Sequence, residues 1–90
     1  MSKVKVEQLS KGEIEDKCIR DWSIWEKEKS TFDWSYGSRE QCLILEGKAT
    51  VKTDDGEEVE FGEGDFVTFP AGMDCVWDIE KDIKKHYKLD

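Results

Sequence analysis

From Glu40 onward, apolar and polar positions alternate in short runs separated by turn residues, the period-two pattern of strands in a sheet. The pattern predicts strands over residues 40–46 and 48–53, a hairpin turn at Asp54-Asp55-Gly56, and a strand over 57–61. After a Gly62-Glu63-Gly64 turn it predicts strands over 65–69, 75–79 and 83–89, with a bend at Pro70-Ala71-Gly72. Turn signals about every eight to twelve residues favour a sandwich or barrel over a mixed fold. The first third is less regular: Val4 and Val6 alternate as in a strand, residues 9–20 suit a helical turn, and residues 22–34 read as extended segments and loops.

Alternation also assigns faces. Glu40, Cys42 and Ile44 share one side of their strand, and Leu43 and Leu45 share the other. Cys75, Trp77 and Ile79 line up together, and Val67 and Phe69 stand opposite Thr68. The strand through Leu43 is apolar on both faces, so its outer face needs cover from the N-terminal segment or from a second subunit. A homodimer is the expectation that follows.

Composition narrows the function classes. Ninety residues make one domain, residues 1–90, with a thin core. Four Trp, four Phe and two Tyr supply much of its bulk. A net charge of −8, from 22 acidic and 14 basic residues, repels phosphate backbones and anionic lipid heads, so neither nucleic acid nor a membrane surface is expected as a partner. No apolar run is long enough to span a bilayer, and the N-terminus has no apolar stretch of the signal-peptide kind, so the chain reads as cytoplasmic. Cys18, Cys42 and Cys75 are odd in number and lack CxxC spacing, which predicts free thiols.

Two motifs carry a family resemblance. Gly64, five residues, Pro70-Ala71-Gly72, two more residues and then Cys75 resemble the second motif of the cupin superfamily. Glu40, with six residues between it and Gly47, matches the end of the first. The surroundings, Trp22 to Lys27, Phe32-Asp33-Trp34 and Lys85-His86-Tyr87, look like the small cupins grouped near ureidoglycine aminohydrolase and the ethanolamine-utilisation cupin. The resemblance implies an all-β, single-domain antiparallel barrel of the jelly-roll, double-stranded β-helix type, with its site inside the barrel. It also implies where metal ligands would stand. Of the four positions, only Glu40 keeps the family residue; Trp34 and Tyr36 occupy the two His positions of the first motif, and Cys75 occupies the His position of the second. Indole and phenol do not replace imidazole. No metal or other cofactor is therefore expected.

The candidate site follows from these placements. Glu40 is the leading acid or base, because a carboxylate among aromatic walls is costly as an anion unless a donor meets it; Tyr36 is the donor at hand. If burial outweighs that one hydrogen bond, Glu40→Gln, which keeps the shape and removes the charge, folds as well as the native chain or better. Cys75 is a nucleophile, a metal thiolate or a small apolar filler. Trp34, Tyr36, Phe69 and Trp77 wall a pocket for a small organic molecule, or else fill the barrel. Lys85 sits at the barrel mouth, solvated or paired with a ligand carboxylate. The function read from the sequence is binding of a small organic molecule in the barrel without a His-based metal centre. The alternatives are a metal-dependent, aminohydrolase-like enzyme and a dimeric barrel acting through its outer surface.

Overall fold

Two long strands, β4 (Glu40–Thr53) and β7 (Asp74–Leu89), run antiparallel along their whole length and form the spine of the molecule. The structure, a computed structural model, describes residues 4–89; the outermost positions of the expected 1–90 domain lie outside the described residues. Each long strand replaces two predicted short ones. The pattern breaks near Gly47 and residues 80–82 are bulges within a continuous pair, with register shifts between Ile44 and Ala49. The charged run Glu80-Lys81-Asp82 is an exposed corner of β7 and does not end it.

At this corner the spine bends, giving each long strand an inner and an outer set of partners. One half of β4 pairs with β6 (Asp65–Phe69), which carries β1 (Lys5–Gln8), while the facing half of β7 pairs with β2 (Ser23–Lys27). The other halves pair with β5 (Glu58–Gly62) and β3 (Ser30–Ser35). All pairings are antiparallel. The two halves pack face to face: Phe69 lies 5.6 Å from Trp77 and 5.9 Å from Phe61, ring centre to ring centre. This is the expected jelly roll, with its hydrogen-bonded ladder left open at the β1, β2, β3 and β5 edges.

Gly47 makes the bend possible. Its φ of 96° belongs to the left-handed region, and a Cβ there would run into the Asp82 carbonyl oxygen and come within 2.8 Å of Ile83 Cα.

The N-terminal segment closes the outer face of β4. Helix α1 (Lys11–Asp16) starts with a capping box: the Ser10 hydroxyl accepts from the Glu13 N–H at 3.2 Å, and the Glu13 carboxylate accepts from the Ser10 N–H at 3.1 Å. A 3₁₀ turn (Ile19–Asp21) then buries Ile19 against Leu43 and Phe66, with Leu9, Ile14, Trp22 and Leu45 packed around them. Of the two covers expected for the strand's second apolar face, the chain itself supplies the first. Ile19→Val is expected to cost about 1 kcal/mol in urea unfolding; no loss would mean that this cover is loosely packed. Among the described residues no helix is long and apolar enough to cross a membrane.

Candidate functional site

The inward parity of β7 resumes after the bulge, so Ile83, Lys85 and Tyr87 continue the face begun by Cys75, Trp77 and Ile79. A lysine is thereby directed into an aromatic interior. Lys85 is 4% exposed and Glu40, at the start of β4, 6%. The Lys85 ammonium donates to Glu40 Oε2 at 2.6 Å. It also lies 4.8 Å from the centre of the Trp77 ring, 4.9 Å from Trp25, 5.9 Å from Phe69 and 6.0 Å from Tyr87. Ring faces carry negative charge density, so this cage favours the cation that water has left.

Two expectations are corrected here. Lys85 is a buried ion-pair partner and not a solvated residue at the barrel mouth. The donor to Glu40 is its ammonium, and Tyr36 is not the hydrogen-bond partner. The expectation that Glu40→Gln folds as well as the native chain, which rests on a carboxylate with no cation beside it, therefore loses its ground.

Tyr36 follows β3 and is fixed by its backbone: its N–H donates to the Met73 carbonyl at 2.9 Å, on the bend after Pro70. Its ring stacks on Phe69 with centres 4.8 Å apart, and its hydroxyl accepts from Trp77 Nε1 at 3.1 Å. Burial, reinforced by the negative charge of Glu40, pushes the phenol well above its ordinary pKa. Tyr36 is thus a neutral donor.

Above the ion pair lies an open cavity of about 330 Å³, within the usual range for small-ligand sites. Glu40, Lys85 and Tyr36, with Ser35 and Ser38, are its polar elements; Trp25, Phe32, Trp77 and Tyr87 are its walls; Trp34, 47% exposed, stands with Leu89 toward solvent. Phe32 stacks against Trp77 at 6.2 Å with the rings only 6° from parallel. Of the residues expected from the sequence, the structure brings Trp34, Tyr36, Glu40, Trp77 and Lys85 to this cavity. Phe69 lies behind it, as the ring under Tyr36 and part of the lysine cage.

Cys75 is not brought there. Its thiol donates to the Trp34 carbonyl at 3.5 Å, and burial, with the negative charges of Asp74, Asp54 and Glu40, raises its pKa to about 11. It packs in the core as a small apolar side chain and is a poor nucleophile there. Cys42 is buried on the inner face too, and burial raises it to about 12. At pH 8 a thiol reagent is expected to modify exposed Cys18 within minutes and to spare the other two until the chain is unfolded. Three rapid equivalents from the folded protein would contradict this burial.

Trp25, Phe32 and Tyr87 join the cavity lining although motif spacing assigns them no place in the site. Register is the signal that finds them: Trp25 pairs with Lys85 and Phe32 with Trp77, so each faces inward beside its partner. His86 points the other way, its Nδ1 3.1 Å from the Trp22 carbonyl oxygen.

The residues present do not fit the metal centre that the cupin fold usually builds. The one surviving ligand position, Glu40, is paired with an ammonium, Trp34 and Tyr36 offer no imidazole, and Cys75 faces a carbonyl. Among the described residues no three His, Cys, Asp or Glu side chains converge.

Comparison with known proteins places this geometry. Residues 15–87 match the EutQ-like cupin domain model. The chain belongs to the EutQ-like cupin family. A DUF861 family protein from Thermotoga maritima is 44% identical, with a TM-score of 0.96 over 97% of this chain and 99% of that one. The Clostridium difficile EutQ protein is 19% identical, with a TM-score of 0.68 over 96% of this chain and 66% of that one. A putative ethanolamine utilization protein Q from Salmonella typhimurium is also 19% identical, with a TM-score of 0.67 over 96% and 68%. At these lower identities the likeness is one of fold. No curated protein matches the chain significantly.

Proposed function

We propose that this EutQ-like cupin binds a small organic molecule in the aromatic cavity, with the Lys85–Glu40 ion pair in place of a metal as its polar anchor. The observation that carries this is an ion pair buried at a cavity that remains open to solvent. A barrel acting only through its outside would be expected to fill this space with side chains, as small barrels can. A metal-dependent reaction would need ligands that the Trp34 indole and the Tyr36 phenol do not supply, and the Cys75 thiol, on the Trp34 carbonyl, does not line the cavity. In the proposed site the aromatic walls hold a flat or apolar body, and the pair orients its polar end. Glu40 is the group placed to exchange a proton with such a ligand, and the Lys85 ammonium the group placed to stabilise negative charge on it.

Fragment titration followed by NMR of the indole N–H groups tests the proposal. Trp25, Trp34 and Trp77 line the cavity, whereas Trp22 packs on Phe66 outside it and serves as an internal control. Saturable shifts of the first three, with Trp22 unmoved, are expected from small aromatic fragments. No saturable shift from any fragment at millimolar concentration would overturn the proposal.

A further inference from the structure

The charge balance of the site indicates which class of molecule it takes, an inference that rests on the binding proposal above. The polar base of the cavity contains one cation and one anion 2.6 Å apart, both buried, and a neutral phenol. A ligand bringing a bare carboxylate would be attracted by Lys85 and repelled by Glu40 at nearly the same distance. A ligand bringing an ammonium meets the reverse. In either case the two contributions largely cancel, and the ligand's own loss of hydration goes unrecovered.

An uncharged polar group escapes that cost if it is satisfied from both sides. Lys85 has three N–H groups, of which Glu40 takes one; among the described residues no other acceptor bonds to the ammonium. The Tyr36 hydroxyl accepts from Trp77 and gives its own hydrogen to no described residue. Donors are thus available from Lys85 and Tyr36, and the Glu40 carboxylate has lone pairs beyond the one that Lys85 uses. The ring faces of Trp25, Phe32, Trp77 and Tyr87 meet the rest of the molecule, and they favour a flat body.

We propose that the cavity selects an uncharged, planar molecule whose polar end both accepts from Lys85 or Tyr36 and donates to Glu40, as a primary amide does. The net neutrality of the pair sets this selectivity. Removing one member should therefore switch it: Glu40→Gln leaves a cation and favours a carboxylate, and Lys85→Met leaves an anion and favours an ammonium.

Benzamide, benzoate and benzylamine are close in size and differ in head-group charge, so they separate the alternatives. Titrated into the native protein with the Trp25, Trp34 and Trp77 indole signals as readout, benzamide is expected to bind at least tenfold more tightly than either ion. In Glu40→Gln, benzoate is expected to become the tightest of the three, and in Lys85→Met, benzylamine. Tighter binding of benzoate or benzylamine to the native protein would overturn the selectivity while leaving the binding site in place. Failure of all three to shift the cavity indoles would overturn both. The ranking in the native protein decides the matter alone if a variant does not fold.

Discussion

Lys85→Met is expected to destabilise the fold by about 3–5 kcal/mol at neutral pH, the cost typical of leaving one member of a buried ion pair alone. Methionine preserves most of the side-chain length and packing against the rings, so lost volume contributes little. What remains is the Glu40 carboxylate, 6% exposed and without its cation. Glu40→Gln is expected to be destabilising by a smaller amount, because the amide oxygen still accepts from Lys85 and the ring faces still hold the ammonium. The double variant should regain much of the combined loss, since buried pairs replaced together are often nearly neutral. Urea unfolding of the four proteins gives the coupling directly. Single-variant losses below about 1 kcal/mol would mean that the pair is screened as a surface salt bridge is.

Gly47→Ala is expected to cost about 3–5 kcal/mol or to prevent folding. Part is the strain of a left-handed backbone on a residue with a Cβ, about 1–3 kcal/mol. The rest is the collision with the Asp82 carbonyl, which belongs to backbone of the paired strand and cannot swing aside. Gly64→Ala provides the contrast. It shares the positive φ, but a Cβ there meets nothing within 4 Å, so only the strain is expected. Equal losses at the two positions in thermal or urea unfolding would show that the close approach at Gly47 contributes nothing.

Much of the strand pattern was legible because the inner positions are apolar and the turns carry Gly, Pro and Asp. Cys42, Val67, Phe69, Trp77 and Ile79 all point inward as alternation requires. The joins were not legible. A bulge and a loop look alike in sequence, and only the pairing of Glu46 with Lys84 and Lys48 with Lys81 shows that β4 and β7 continue through the corner. The site was legible in part for the same reason. Trp34, Tyr36, Glu40 and Trp77 follow from motif spacing and parity, whereas Lys85 sits in Lys84-Lys85-His86, where charge suggests solvent. Parity with Ile83 and Tyr87 overrides charge there, because Glu40 and the aromatic rings compensate the lysine once it is inside. Trp25 and Phe32 come from irregular segments whose partners only the folded chain reveals.

Metal content is the most direct test of an ion pair standing in place of a metal. The protein, expressed in metal-replete medium and purified without chelators, should carry far less than one equivalent of any transition metal per chain by elemental analysis. About one equivalent per chain, retained through gel filtration and lost in Glu40→Gln, would contradict the ion-pair site and return Glu40 to the role of a metal ligand.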